Sequence, residues 1–274
     1  MRLGAEARRF LSGVALMAAV LLVLYTAPLA AQAVLLALVV VAGVHEARHL
    51  SGPIAARGVW AGAAAGAALL LAPRVTPWSP ILPAAAWSLG LLATVGLLIA
   101  GRRTVRLPGD RPWGFGLAAG LFATGLFSAT WYASLPGGQA LLALVIWSTW
   151  AGDLGAGVLT ERLFPKRHPV WEWASPRKNW EGITLGTVAL LLFAELFRRI
   201  FRVPIDGAHF AALVLLAPVT RPVGDLLESV LKRLAGARDS GSIAMLPGHG
   251  GVLDRVDSLT FTLPVLFLVW ELLP

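Results

Sequence analysis

The amino-acid sequence predicts an all-α polytopic membrane protein with about nine transmembrane helices. Two features of the composition indicate this class. Of the 274 residues, 57% are hydrophobic and only 14% are charged, whereas about a quarter of the residues in a soluble domain are charged. The mean hydropathy is +0.73. A third indication is that the apolar runs are near the ~20 residues that a bilayer requires, and too numerous for the buried helices of a soluble core.

The predicted spans follow one another along the chain. They cover residues 10–27, 28–47, 57–73, 80–100, 112–133, 138–160, 182–201, 207–230 and 258–273. The first run could instead be a cleaved signal peptide, because Ala31-Gln32-Ala33 is similar to a signal-peptidase site. The apolar sequence that resumes directly afterwards favours a span. We expect N-terminal helices over 1–140 and a C-terminal region over 141–274 that carries the polar motifs.

Charge and cysteine content limit the possible functions. The absence of cysteine excludes disulfides and thiolate metal sites. The net charge of +8 is explained first by topology, because basic residues remain in the cytoplasm, and we expect no nucleic-acid partner. A cytoplasmic N-terminus places most of the 23 Lys and Arg residues on the cytoplasmic side. The polar segments 161–181 and 231–257 then face the cytoplasm, whereas the basic cluster at 198–202 lies on the opposite side without an explanation.

A polar segment over 229–257 interrupts the apolar C-terminal region. Its sequence, SVLKRLAGARDSGSIAMLPGHGGVLDRVD, combines glycines with basic and acidic side chains. Glycines allow a backbone to approach a ligand closely. Basic side chains bind phosphate, and carboxylates bind hard cations such as Mg²⁺. The segment therefore predicts a nucleotide- or phosphate-handling site at a membrane surface, with a solvated basic loop as the alternative.

Other polar residues lie upstream. Asp153 sits near the end of a predicted span, where a carboxylate is costly unless it faces a cavity or a partner. Arg221 and Asp225 are four residues apart and could neutralise each other on one helix face. Glu228 widens this polar stripe, which favours a cavity wall over a solitary ion pair. The basic stretch 175–182 predicts a turn at the membrane surface, in which Glu181 could orient a base or cap the next helix.

A competing motif occurs at His45-Glu46-Ala47-Arg48-His49. It matches H-E-x-x-H, the helical zinc-binding motif of metalloproteases. Asp206, in V-P-I-D-G, is faintly similar to a later aspartate motif of intramembrane metalloproteases. The predicted topology places Asp206 and His49 on opposite sides of the membrane, however, so a shared metal is disfavoured. The alternative is a span end with interfacial His and Arg residues.

Taken together, the C-terminal motifs resemble those of the phosphatidate cytidylyltransferase (CDP-diacylglycerol synthase) family. The pattern S-x-x-K-R-x4-R-D from Ser229 and the pattern P-G-H-G-G-x-x-D-R-x-D from Pro247 are similar to the family signature. G-D-x-x-E-S at 224–229, S-P-R-K-N-W-E-G at 175–182 and Asp153 match further family positions, and the similarity covers 147–270.

The chain departs from the family pattern at three places. Arg238 replaces a Lys, and Arg is a planar fork rather than a point donor. Asn179 replaces a Thr, and the link between Asp239 and Pro247 is longer than usual. These departures leave the lipid substrate open.

The resemblance implies that CTP and phosphatidate react to give CDP-diacylglycerol and pyrophosphate for phospholipid synthesis. Such phosphoryl transfer depends on positioning and charge neutralisation. The residues assigned to catalysis are Asp153, Lys232, Arg233, Arg238, Asp239, His249 and Asp257. Those assigned to ligand binding are Ser175, Arg177, Lys178, Glu181, Ser229, Gly250, Gly251 and Arg255. Those assigned to Mg²⁺ are Asp225 and Asp254, and a second, monovalent ion is left open.

The resemblance also implies a position in the cell. The site would face the cytoplasm from a bacterial cytoplasmic membrane, with membrane lipid around it, and the chain would form a homodimer. Three alternatives stay open: a cytidylyltransferase that acts on another lipid phosphate, a non-catalytic membrane protein, and, more remotely, the H-E-x-x-H metalloprotease.

Overall fold

The computed structural model describes residues 18–20, 22–23, 26–75, 79–101, 112–132, 135–237 and 251–273. The helices are α1 Leu29–Val75, α2 Ile81–Gly101, α3 Pro112–Thr124, α4 Ala129–Tyr132, α5 Gly138–Leu154, α6 Thr160–Leu163, α7 Trp180–Ile200, α8 Gly207–Leu234 and α9 Leu253–Trp270. A 3₁₀ turn, Gly125–Ser128, precedes α4, and a π-helical turn, Gly155–Leu159, precedes α6. Two short strands, β1 Pro169–Trp171 and β2 Ser175–Asn179, pair antiparallel.

The all-α membrane class is confirmed, but the predicted number of spans is not. In the described part of the chain, five helical stretches are long and apolar enough to cross a membrane. They are Ala30–Leu50, Ile81–Ala100, Gly114–Tyr132, Gly138–Leu163 and Gly207–Leu234. The predicted spans 182–201 and 258–273 coincide with α7 and α9, which are not among these five, and most of span 10–27 lies outside the described residues.

Two of the predicted spans belong to one helix. Residues 28–47 and 57–73 were expected to flank a cytoplasmic loop, but α1 runs through both of them. Pro53 lies inside this helix, and a proline there can kink a helix without ending it. The 47 residues of α1 correspond to a length of ~70 Å, more than twice the thickness of a hydrocarbon core.

The helices pack around an aromatic core. Helix α1 packs along α3, α5 packs on α7, and α8 packs on α9. Trp131 and Tyr132 are buried, and their polar atoms donate to the carbonyl oxygens of Leu70 and Leu263 at 2.7 and 3.0 Å. These hydrogen bonds satisfy the only polar atoms of two large apolar side chains. The described part of α2 instead exposes leucines such as Leu82, as expected of a surface that faces lipid.

The strands fold the polar segment after α6 back towards α8. Their register pairs Pro169 with Asn179 and Trp171 with Ser175. This hairpin replaces the simple turn that the sequence predicted around Pro176. It brings the basic residues of β2 close to the polar residues of α8 and α9, and so positions the candidate site.

Candidate active site

A large cavity of about 1180 Å³ lies between α5, the hairpin and the polar parts of α8 and α9. Eleven of the residues that the sequence assigned to the site line this cavity. They are Asp153, Ser175, Arg177, Lys178, Asp225, Ser229, Lys232, Arg233, Asp254, Arg255 and Asp257. Glu181 and Gly251 are described but do not line it, whereas Arg238, Asp239, His249 and Gly250 lie outside the described residues. Two polar segments distant in sequence therefore converge on one site.

Three carboxylates form a cluster beside the cavity, and two of them, Asp225 and Asp257, line it. One carboxylate oxygen from each of Asp225, Glu228 and Asp257 lies within 4.8 Å of the others. Asp225 and Glu228 share a face of α8 because they are three residues apart, and Asp257 approaches from α9. The helices meet closely at Gly224, where a Cβ atom would lie 2.5 Å from the carbonyl oxygen of Asp257.

The chemistry of this cluster fits a hard divalent cation. Mg²⁺ and Ca²⁺ are bound through oxygen ligands, and carboxylates are the usual charged ones. Glu228 is buried, and its Oε1 atom has no hydrogen-bond partner among the described residues. A buried carboxylate oxygen without a partner is costly unless an ion or water satisfies it. Asp225, Glu228 and Asp257 are therefore the residues that would hold a metal.

Asp254, predicted as a metal ligand, is placed differently. Its Oδ1 atom accepts from Lys232 Nζ at 2.5 Å, and its Oδ2 atom accepts from the backbone N–H of Gly251 at 2.8 Å. The same Lys232 amine also donates to Glu228 Oε2 at 2.5 Å. Lys232 therefore connects Glu228 on α8 to Asp254 in the first turn of α9.

A second lysine reaches the cluster from the hairpin. Lys178 Nζ lies 2.5 Å from Asp225 Oδ1 and donates to Ser229 Oγ at 2.9 Å. It also donates to the backbone carbonyl of Asp225. The Arg221–Asp225 ion pair that the sequence left as an alternative does not form, because a lysine on β2 pairs with Asp225.

Arg221 pairs with Asp153 instead. Its Nη1 atom donates to Asp153 Oδ1 at 2.9 Å, and Ser258 Oγ donates to Asp153 Oδ2 at 2.7 Å. Arg221 is 3% exposed. Its guanidinium fits beside α7 because Gly186 has no side chain: a Cβ atom there would lie 2.6 Å from Arg221 Nη2. Asp153 therefore connects α5 to both α8 and α9.

Two further contacts hold the hairpin in place, one from α8 and one from β2. Arg233 donates to the carbonyl oxygens of Ala174 and Ala237 at 3.1 and 2.9 Å, which anchors the turn of the hairpin to the end of α8. Asn179 Oδ1 accepts from the N–H of Gly182 at 2.7 Å and caps α7. The sequence offered Glu181 for this cap, but Asn179 has the short side chain that reaches the third amide.

Glu181 binds the other end of the hairpin. Its carboxylate accepts from the N–H of His168 at 3.1 Å and lies 2.5 Å from the ring Nδ1 of the same residue. The side-chain hydrogen bond from His168 lowers the pKa of Glu181 to about 2. Glu181 is therefore a carboxylate that fastens β1 to α7, outside the cavity.

The first turn of α9 is held by a residue of the H-E-x-x-H motif. Glu46 accepts from the N–H groups of Val252 and Leu253 at 2.7 and 2.8 Å. The Nε2 atoms of His45 and His49 lie 2.9 Å apart on the exposed side. Glu46 therefore forms a contact between α1 and α9. This contact argues against the metalloprotease hypothesis, in which Glu46 would act as the general base.

The other acid of the metalloprotease hypothesis also has a structural place. Asp206 Oδ1 accepts from the N–H groups of Ala208 and His209 at 2.8 and 3.0 Å, and so caps α8. These hydrogen bonds, chiefly the one from the His209 amide, lower the pKa of Asp206.

A phosphate-binding role for the Gly251 amide is also disfavoured, because that amide already donates to Asp254.

Comparison with known proteins assigns the family. A family model described as the cytidylyltransferase family matches residues 7–273. The chain belongs to this family. The match extends through the N-terminal helices, where the sequence resembled the family only as a row of spans. In this cytidylyltransferase family member, the carboxylate cluster and the lysines described above occupy the matched region.

Individual relatives carry a more specific name. A phosphatidate cytidylyltransferase of Bacillus subtilis is 40% identical over 129 residues, which cover 47% of this chain and 45% of the relative. One of Brucella suis is 37% identical over 190 residues, covering 65% of this chain and 66% of the relative. One of Haemophilus influenzae is 38% identical over 131 residues, covering 46% and 44%. The chain thus spans about half to two thirds of the length of these relatives.

Sequence reasoning missed four residues that build the site. Glu228, Arg221, Ser258 and Glu46 were not among the assigned site residues. Glu228 had a signal, since it is the acid of the G-D-x-x-E-S motif and lies one helical turn after Asp225. Arg221, Ser258 and Glu46 act through contacts between distant helices, for which a single sequence carries no signal.

Proposed function

We propose that this chain transfers the cytidylyl group of CTP to phosphatidate, which gives CDP-diacylglycerol and pyrophosphate. The observation that carries the proposal is a cavity lined by two acids of the three-carboxylate cluster, Asp225 and Asp257, and by two lysines from separate elements. The family of the chain and the names of its relatives support the same reaction. The apolar helices support a lipid as the acceptor, because they place the cavity in a membrane protein.

The chemistry requires no nucleophilic side chain. An oxygen of the phosphatidate phosphate forms a bond with the α-phosphorus of CTP, and the bond from that phosphorus to the bridging oxygen of the β-phosphate breaks. The bonding electrons leave with pyrophosphate. A phosphate monoester is already ionised near neutral pH, so no general base is needed to generate the attacking oxygen. The protein must instead align the two phosphates and offset their repulsion.

The residues of the cavity and of the carboxylate cluster have different roles in aligning the phosphates and offsetting their charge. Asp225, Glu228 and Asp257 would hold Mg²⁺, which when bound offsets the negative charge of the nucleotide phosphates. Lys178 and Lys232 each touch the cluster and lie close enough to present positive charge beside it. Arg177 and Arg255 line the same cavity and would bind further phosphate oxygens. Asp153 would orient Arg221 rather than bind the metal, because both of its oxygens already accept hydrogen bonds.

We also propose that the site faces the cytoplasm of a bacterial cell, with the N-terminus on the same side. Most basic residues fall on that side in the predicted topology. The convergence of the hairpin and the start of α9 on one cavity supports a common side for the segments 161–181 and 231–257. The basic cluster near 198–202 has a partial explanation, since Arg198 and Arg199 both pair with Glu195.

Transfer of radiolabel from CTP into the lipid phase tests the proposal. Purified protein in detergent is assayed with phosphatidate and Mg²⁺ beside Asp257→Asn, and Glu195→Gln serves as the control because it removes a carboxylate far from the cavity. We expect wild type and Glu195→Gln to label the lipid and Asp257→Asn to lose this activity. If CTP with Mg²⁺ stabilises the protein but phosphatidate is not labelled, another lipid phosphate is the acceptor. If CTP neither reacts nor stabilises, the proposal is wrong.

A further inference from the structure

The carboxylate of Glu46 is buried inside the described bundle, yet the proposed reaction makes no use of it. Glu46 is 0% exposed, and its two oxygens accept from two successive amides that lie 206 and 207 residues later in the chain. We propose that Glu46 is a positioning residue, which fixes the first turn of α9 and thereby the placement of Asp254 and Asp257. The inference rests on the proposed function only for its consequence at the metal site.

The first turn of α9 needs an external acceptor. The first amides of a helix have no partner within it, and they are usually satisfied by a Ser, Thr, Asp or Asn side chain at the N-cap. The N-cap of α9 is Val252, whose side chain cannot accept a hydrogen bond. Asp254 satisfies only the Gly251 amide. Glu46 accepts from the amides of Val252 and Leu253, and its negative charge is favourable at a helix N-terminus.

The contact between α1 and α9 extends beyond the hydrogen bonds. Gly43 lies one turn before Glu46, and a Cβ atom on it would lie 3.0 Å from Leu253 Cδ2. The same face of α1 therefore packs against the first residue of α9. His45 and His49, which flank Glu46 in the motif, contact each other. Glu46 contacts α9, whereas the two histidines contact each other, so substitutions of His45 and His49 serve as matched controls within one motif.

A displacement of this turn would reach the metal cluster directly. Asp254 is the second residue of α9 and bonds Lys232, which in turn bonds Glu228. Asp257 lies one turn later and contributes an oxygen to the cluster. Both acids move with the first turn of α9. Residues that orient metal ligands from outside commonly change metal affinity by roughly 10–100-fold when they are replaced.

Glu46→Gln tests this role in the full-length protein purified in detergent. The glutamine keeps the size of the side chain and one acceptor oxygen, but it presents an NH₂ group to the second amide. Two quantities are measured: hydrogen–deuterium exchange of the peptide that covers 251–257, and the Mg²⁺ concentration that gives half-maximal thermal stabilisation in the presence of CTP. His45→Ala and His49→Ala are the controls.

We expect Glu46→Gln to speed exchange at 251–257 while other helices stay protected, and to raise the Mg²⁺ midpoint by roughly tenfold. The histidine variants should match wild type. Unchanged exchange at 251–257 would overturn the proposal, as would an unchanged Mg²⁺ midpoint in a variant that is otherwise less stable. If wild type itself shows no stabilisation by CTP and Mg²⁺, the proposed function has failed, and the exchange measurement alone decides whether Glu46 fixes the turn.

A second variant changes the same contact on its α9 side. Val252 has φ −66°, which a proline adopts without strain, and Val252→Pro removes one of the two N–H groups that Glu46 binds. If Glu46→Gln does not fold, this variant should still raise the Mg²⁺ midpoint in the same direction. A Val252→Pro protein with wild-type exchange and midpoint would overturn the proposal.

Discussion

Arg221 Nη1 donates to Asp153 Oδ1 at 2.9 Å across 68 positions of sequence. The pair joins α8 to α5 at the wall of the cavity, and Ser258 extends it to α9 through the other oxygen of Asp153. Three helices that carry site residues are therefore fixed relative to one another by one carboxylate. This relationship leads to two of the predictions that follow.

Replacement of Gly186 should displace Arg221. An alanine Cβ would lie 2.6 Å from Arg221 Nη2 and 2.6 Å from the carbonyl oxygen of Gly152, so the helices or the guanidinium must shift. We expect Gly186→Ala to lower the free energy of unfolding by about 1–3 kcal/mol, the usual cost of overpacking. Gly96→Ala is the matched control, because no atom lies within 4 Å of its new Cβ. Thermal unfolding in detergent measures both, and equal effects of the two changes would contradict the account.

The Arg221–Asp153 pair should show a measurable coupling energy. Arg221→Met leaves Asp153 with only Ser258 as a hydrogen-bond donor among the contacts described above. Because the Asp153 side chain is 35% exposed, we expect a cost near the lower end of the about 1–3 kcal/mol for a buried polar group. In a double-mutant cycle with Asp153→Asn, we expect a coupling of about 0.5–3 kcal/mol. Additive effects of the two substitutions on stability would show that the pair contributes nothing beyond its separate side chains.

The metal site should depend more on Asp257 than on Asp254. Asp257 belongs to the three-carboxylate cluster, whereas Asp254 is engaged by Lys232 and the Gly251 amide. We expect Asp257→Asn to raise the Mg²⁺ concentration for half-maximal stabilisation by CTP at least roughly tenfold. Asp254→Asn should chiefly lower stability, since it removes a partner of a buried lysine. The reverse order of the two Mg²⁺ midpoints would restore the ligand set that the sequence suggested.

The contact between Glu181 and His168 should affect nucleotide binding through the hairpin. Glu181 lies outside the cavity but fastens β1 to α7, and β2 carries Arg177 and Lys178. We expect Glu181→Gln to raise the KM for CTP several-fold with a smaller change in kcat, because the hairpin is loosened while the metal cluster is intact. His168→Ala should reproduce this pattern. A fall in kcat at constant KM would instead assign Glu181 a direct part in the reaction.

Sequence reasoning succeeded where the relevant spacing was local. The shared helix face of Asp225 and Glu228 follows from their spacing, although Glu228 was not assigned to the site, and Asp254 and Asp257 both lie in the helix that begins at Leu253. The membrane class followed from composition alone. The convergence of 175–182 with 229–257 came from resemblance to family motifs rather than from the physical pattern of either segment.

The errors concern contacts between elements. Arg221 and Asp225 have the spacing of a helical ion pair, but Arg221 pairs with Asp153 on α5 and Asp225 pairs with Lys178 on β2. Glu46 matched a zinc-protease motif that local spacing could not distinguish from a helix cap. The span count was not confirmed within α1, because a polar, proline-containing stretch was treated as a loop although the helix continues through it.

The fate of each phosphate of CTP tests the proposed cytidylyl transfer most directly. Wild-type protein with phosphatidate and Mg²⁺ is supplied in parallel with CTP labelled at the α-phosphate and CTP labelled at the γ-phosphate. We expect the α-label to enter the lipid phase and the γ-label to appear as pyrophosphate in equal amount, because the bond between the α-phosphorus and the β-phosphate oxygen breaks. Retention of both labels in CTP, or release of the γ-label as inorganic phosphate without lipid labelling, would contradict the proposed cytidylyl transfer.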